Sequence, residues 1–231
     1  MKKVYEDRLL ELIAKEGFAT VKTLAAATYM SESTVRRRLT ALETAGLVRR
    51  SYGGAQLIGG TRNTPIAFRL QKNHREKDAI AQKAAARVQN DSTVFIDASS
   101  TCLHMAPYLA DKKGLTVYTY STTLCEMLAE YGVRAVCVGG AFDPVSKVCT
   151  GAIALETLQR VWYDACFFSS SGFCDGKIYD YCEAESFLRR AALARATHRF
   201  FLCDSEKLGK QSTFFIADAK NLDEVITINK I

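Results

Sequence analysis

"STVRRRLTALETAGLVRRSYGGA", residues 33–55, sets three arginines side by side between apolar residues, with a basic pair and a Gly-Gly behind them. Successive residues of an α-helix are about 100° apart. On that geometry Val35, Leu39 and Leu42 fall within one narrow arc and face a core. Arg37 and Ser33 point almost directly away from it, with Thr34 beside them. Arg36 and Arg38 lie on opposite flanks. Such a helix suits the major groove of double-stranded DNA. Ser33, Thr34 and Arg37 are placed for base edges, and Arg36 and Arg38 for the phosphate walls. The competing reading of a charge run is a solvated helix face.

The flanking sequence favours the first reading. "VYEDRLLELIAKEG" spaces Leu9, Leu12 and Ile13 for a helix, with Gly17 as a stop. "TVKTLAAATYM" is a short helix with Thr20 as N-cap, turning at Tyr29-Met30. "SESTVRRRLTALETAG" is a third helix, capped by Ser31 and ended at Gly46. Two short helices joined tightly after a longer one predict a helix-turn-helix. "LVRRSYGGAQLI" predicts two strands meeting at Gly53-Gly54, a wing that carries Arg49, Arg50 and Tyr52 to the same surface. The candidate DNA contacts are therefore Thr20, Ser31, Ser33, Thr34, Arg36, Arg37, Arg38, Arg49, Arg50 and Tyr52.

The charge distribution agrees. Residues 1–75 hold 14 basic and 6 acidic side chains, while residues 76–231 hold 17 and 19, within a formal net charge of +6 for all 231 residues. A basic head on a near-neutral body points to nucleic acid or a membrane surface at the head. No apolar run approaches the roughly 20 residues of a membrane helix, and the N-terminus lacks the apolar segment of a signal peptide. A cytoplasmic protein is expected. The division expected is a winged helix-turn-helix over 1–58, a basic linker over 59–75 containing Pro65, and an α/β body over 76–231.

The body alternates strands and helices. "TVFID" (93–97), "LTVYTYS" (115–121), "RAVCVGG" (134–140), "ACFFSSS" (165–171), "RFFLCD" (199–204) and "EVITIN" (224–229) are apolar on both faces, as in a mostly parallel sheet covered by helices. Ligands of open α/β sheets bind at the carboxyl ends of the strands. There lie Asp97, Ser121, Gly139, Gly140, Ser169 to Ser171 and Asp204. Ser99, Ser100 and Thr101 sit where a helix should begin, a place for an anion, although taken alone they are better explained as simple N-capping. Lys207, just beyond another strand end, adds a cation. Together these suggest a phosphorylated small molecule. No GxGxxG or P-loop occurs, and no cofactor is expected. The eight cysteines, all between Cys102 and Cys203, form no CxxC. They read as buried free thiols rather than disulfides or metal ligands.

Residues 21–55 resemble the N-terminal domain of DeoR-family bacterial transcriptional regulators, and the resemblance runs over nearly the whole chain. It rests on S-x-S-T-[VI]-R-R-x-L, on L-E-x-x-G-x-[VL] and on G-G-A after a basic pair. Arg38 stands where the family commonly has Asp. The resemblance implies a body similar in fold to ribose-5-phosphate isomerase. It implies a repressor of carbohydrate genes that senses a sugar phosphate. Independently, one helix-turn-helix reads only a few base pairs, so a homodimer or homotetramer on repeated half-sites is expected. The family's D-x-G-T-T corresponds to Asp97–Thr101, with Ser99 and Ser100 as departures. T-N-S corresponds to 119–121, with Tyr120 for Asn, and D-x-S-K-x-G to 204–209, with Glu206 for Ser. The glutamate before K-R-A corresponds to Glu185. The effector set is then Asp97, Ser99, Ser100, Thr101, Ser121, Gly139, Gly140, Glu185, Asp204 and Lys207, with Asp97, Asp204 and Glu185 on the sugar hydroxyls. Two rival readings are an isomerase-like enzyme using the same carboxylates and Lys207 for proton transfer, and a thiol- or metal-responsive regulator. A DNA-reading head on an α/β sheet favours a sensor over a catalyst, since fold does not imply activity.

Overall fold

The computed structural model describes residues 2–16, 18–51, 53–57 and 66–228. Gly17, Tyr52, the 58–65 part of the expected wing end and linker, and Asn229 at the end of the last expected strand lie outside the described residues. The chain divides into two compact units, Met1–Lys72 and Asn73–Ile231.

The first unit runs α1 (Lys2–Glu16), β1 (Phe18–Thr20), α2 (Val21–Thr28), α3 (Glu32–Thr44), β2 (Val48–Ser51), β3 (Gly54–Leu57) and α4 (Ile66–Gln71). Both expected caps form. Thr20 Oγ1 accepts from Thr23 N at 3.0 Å, and Ser31 Oγ accepts from Thr34 N at 3.3 Å. Each satisfies a helix-start amide that has no intrahelical partner. Tyr29 turns the chain between α2 and α3 in the left-handed region, φ 55°. Leu9, Ile13, Leu24, Val35 and Leu39 are fully buried, so the three helices share one core. The wing has a third strand that the sequence did not suggest: β1 pairs antiparallel with β3, Ala19 opposite Ala55. Gly54 is required by that pairing. A Cβ there would lie 2.5 Å from Ala19 O and from the Phe18 ring. The expected linker differs as well, because Ile66–Gln71 is helical and the next helix begins at His74.

The second unit runs α5 (His74–Ala85), β4 (Thr93–Ile96), α6 (Ser100–Leu103), β5 (Thr116–Thr119), α7 (Thr122–Glu130), β6 (Arg134–Cys137), β7 (Ala141–Asp143), β8 (Val148–Thr150), α8 (Ala152–Gln159), β9 (Tyr163–Phe168), β10 (Gly172–Cys174), β11 (Lys177–Asp180), α9 (Glu183–Leu193), β12 (Ala196–Leu202), β13 (Phe214–Asp218) and β14 (Glu224–Ile226). Six strands make a sheet in the order β14-β12-β9-β4-β5-β6. All five pairings are parallel. Phe95, Phe167, Phe168 and Phe201 are fully buried in it, which explains the apolar runs on both faces of these strands. Two smaller antiparallel pieces were not foreseen, the sheet β10-β11-β13 and the hairpin β7-β8. Because the large sheet is parallel, every strand delivers its carboxyl end to one edge. Across that edge lie, in order, Asp204, Ser169, Asp97, Ser121 and Gly139.

Candidate DNA-reading surface and effector site

On α3 the apolar arc Val35, Leu39 and Leu42 is buried, and Ser33, Arg36 and Arg37 are exposed, with Thr34 half-buried. Ser31 Oγ lies 2.9 Å from both Ser33 Oγ and Thr34 Oγ1, so three hydroxyls cluster at the tip of the helix. Arg36 pairs with Glu32 at 2.7 Å across one helical turn, an exposed contact that a stronger anion can replace. Arg50 is tied to α3: its N–H donates to Glu43 Oε1 at 2.8 Å and its guanidinium to Thr40 Oγ1 at 2.7 Å. These bonds set the wing against the helix. Arg37 and Arg49 are exposed, with no ion pair to a described residue. Arg38 differs from its expected place on a phosphate wall. Its guanidinium lies 5.2 Å from the Tyr5 ring centroid and 3.6 Å from Glu6, so it reaches back to two side chains of α1. Thr20 serves as the cap of α2.

At the sheet edge the loop after β4 turns on Asp97, which is fully buried. Its Oδ1 accepts from Ser99 N at 2.9 Å and Ser99 Oγ at 2.6 Å. Its Oδ2 accepts from Ser169 N at 3.1 Å and Arg189 Nε at 2.8 Å. Asp97 therefore organises the edge, and its four donors close it to the sugar hydroxyls that the sequence had assigned to it. Arg189 is one of two site residues, with Lys77, that the sequence did not single out. It is buried on α9, with further contacts of 2.9 Å to Asp180 and to Glu185 Oε2. Burial works against its charge, but Tyr120, Asp180, Asp97 and Glu185 outweigh it and hold its pKa above the ordinary value. Glu185 also accepts from Tyr120 Oη at 3.3 Å, again on Oε2. The signal was present, since Glu185 and Arg189 stand at i,i+4 on one helix.

A second group joins the other side of the loop. Thr101 Oγ1 donates to Asp204 Oδ2 at 3.1 Å, and Lys207 Nζ pairs with the same carboxylate and lies 3.4 Å from Thr101 Oγ1. Burial pushes the Asp204 carboxyl up, but Lys207, Lys77 and Thr101 together bring it below its ordinary value. Lys77, buried on α5, donates to Ser100 Oγ at 3.0 Å. No local pattern links it to a loop 23 residues away. Two lysines thus reach the neighbouring hydroxyls of Ser100 and Thr101. The helix starting there, α6, is a single turn. Its dipole is correspondingly small, and the positive charge at this loop comes mainly from the lysines. Ser121 caps α7, accepting from Leu124 N at 3.1 Å. Gly139 and Gly140 both have positive φ, and a Cβ on Gly140 would lie 2.4 Å from Thr150 O. Gly140 is fixed by backbone contact with the β8 hairpin. Among the described residues no group of three or more His, Cys, Asp or Glu is arranged to hold a metal ion, and no helix is long and apolar enough to cross a membrane.

A capped, arginine-bearing reading helix with a wing, followed by a parallel α/β unit with polar groups converging on one sheet edge, defines a DNA-binding transcriptional regulator with a sensor domain. Residues 6–61 match the DeoR-like helix-turn-helix domain and residues 72–228 the DeoR C-terminal sensor domain. The chain belongs to the DeoR family. It is 32% identical to the HTH-type transcriptional regulator GolR of Listeria innocua over 229 residues, 98% of this chain and 90% of that protein. It is 27% identical to the lactose phosphotransferase system repressor of Lactococcus lactis, over 97% of this chain and 90% of that protein. Among solved structures it is similar to a D-ribose-5-phosphate isomerase in complex with phospho-erythronic acid, with a TM-score of 0.45 and 13% identity over 58% of this chain and 54% of that one.

Proposed function

We propose that the protein represses carbohydrate genes and is controlled by a small phosphorylated sugar bound at the carboxyl edge of the six-stranded sheet. The phosphate lies against the 99–101 loop, with the Ser100 hydroxyl as donor and Lys77 and Lys207 as counter-charges. Glu185, which takes both contacts described above on Oε2, offers Oε1 to a sugar hydroxyl, and Ser121 and the Gly139-Gly140 turn line the far side. The observation that carries this reading is the pair of buried or half-buried lysines converging on the adjacent hydroxyls of Ser100 and Thr101. An anion needs cations and donors together, and a polyol needs carboxylate acceptors. The name of one relative, a lactose phosphotransferase system repressor, supports a sugar system.

In the same reading Ser33, Thr34 and Arg37 contact base edges, while Arg36, Arg49 and Arg50 contact phosphates. Arg38 supports α3 from behind. One helix-turn-helix reads few base pairs, so the protein acts as a homodimer or larger assembly on repeated half-sites. A thermal-shift screen with phosphorylated sugars and their free sugars tests the effector, because a ligand that binds only the folded state raises the melting temperature. Stabilisation by a phosphorylated sugar and not by its free counterpart is expected. Equal shifts with both would contradict the phosphate assignment.

A further inference from the structure

Spacing alone gave the cysteines no partners, yet the fold brings three of them together. Cys125 lies on α7, Cys137 at the end of β6 and Cys149 on β8, each twelve residues from the next. Cys137 Sγ is 4.0 Å from Cys149 Sγ. Burial, with Cys137 and Cys149 as neighbours, pushes the Cys125 thiol up to about 12. One strand places the closest pair. Cys137 stands opposite Thr119 in the β5-β6 ladder, and Cys149 N–H donates to Tyr120 O at 2.8 Å. Both residues therefore flank the carboxyl end of β5. Cys149 is buried, but Cys137, expected to be buried, is exposed at the sheet's outer strand.

We infer that Cys137 and Cys149 form a reversible disulfide, making this chain a target for oxidation by low-molecular-weight disulfides. The exposed Cys137 thiolate attacks one sulfur of R–S–S–R and expels R–S⁻, leaving a mixed disulfide on Cys137. Cys149 then gives its proton to solvent and attacks the Cys137 sulfur, expelling the second R–S⁻. Two protein thiols are oxidised and one disulfide is reduced to two thiols. Burial shields the Cys149 thiol from the oxidant, and its position 4.0 Å from Cys137 Sγ leaves it the second, intramolecular step, although the same burial raises the thiol and slows that attack. A side-chain rotation must close 4.0 Å to the roughly 2.05 Å of a disulfide.

The bond would tie the β7-β8 hairpin to β6. That hairpin already bears on Ser121: Thr122 N donates to Lys147 O at 3.0 Å, and Ser121 bridges Val148. Oxidation is thus registered beside the candidate effector site.

The test is incubation of the native, full-length protein with oxidised glutathione, followed by thiol titration and peptide mapping without reductant. The expected result is a fall from eight free thiols to six, a Cys137–Cys149 cross-link and slower amide exchange across residues 141–150, all reversed by a dithiol reductant. Cys149→Ser should stop at one glutathione adduct on Cys137, and Cys137→Ser should keep its seven thiols. Eight thiols retained in the native protein, or a cross-link that maps to another pair, overturns the inference.

Discussion

Arg189 and Asp97 stand 92 residues apart in the chain and meet through a 2.8 Å contact between Nε and Oδ2, both buried. The guanidinium is the cation shared by Asp97, Asp180 and Glu185, and its three nitrogens use separate carboxylates. Removing it leaves buried carboxylates uncompensated, which typically costs about 3–5 kcal/mol. Arg189→Ala should lower the denaturant midpoint of the sensor domain accordingly. Arg189→Lys should recover only part, because a single ammonium cannot reproduce the fork. A midpoint unchanged by Arg189→Ala would show that the cluster does not hold the sheet edge together.

Asp204 sets an acid limit on stability. Its folded-state carboxyl lies below the ordinary 3.8, so the unfolded chain binds more protons there as the pH falls. The stabilisation is complete above the ordinary value and is lost as pH drops through the lowered one. Asp204→Asn should therefore show a shallower loss of stability below about pH 4 than the natural protein. Chemical denaturation at a series of acidic pH values measures this. Parallel curves for the two proteins would remove Asp204 from the account.

DNA readout separates by position on α3. Arg37→Ala should cost about 1–3 kcal/mol on a duplex selected from a random pool and much less on unselected duplexes. Arg49→Ala should weaken all duplexes alike and flatten the dependence on salt. Arg38→Ala should act through stability, by releasing α3 from Tyr5 and Glu6, with little change in the salt slope. Equal losses on selected and unselected DNA for Arg37→Ala would count against base contact.

The reading helix was legible because its signals are local. Val35, Leu39 and Leu42 mark the buried arc, and Ser31 marks the start. The six sheet strands were legible because burial on both faces leaves continuous apolar runs. Strand β1 was hidden, since Phe18-Ala19-Thr20 is too short for a period and sits between two helices. Strands β10 and β11 mix polar and apolar residues without a long run, while β13 carries an apolar run, Phe214 to Ala217, that the sequence reading passed over. The site was half legible. Strand-end positions identified Asp97, Ser121 and Asp204, but the partners Lys77 and Arg189 come from helices distant in sequence. Asp97 looked available because sequence cannot show that four donors already occupy it. The thiol pair was invisible for the same reason: the fold, and not spacing, brings Cys137 to Cys149.

The most direct test of the phosphorylated effector is calorimetric titration of the natural protein, Lys77→Ala and Lys207→Ala with the sugar phosphate found by screening and with its free sugar. A charge-assisted contact is worth about 1.5–3 kcal/mol, so each lysine variant should bind the phosphate one to two orders of magnitude more weakly. Neither variant should change its affinity for the free sugar. Unaltered phosphate affinity in both variants, or a free sugar that binds the natural protein as tightly as its phosphate, would contradict the account.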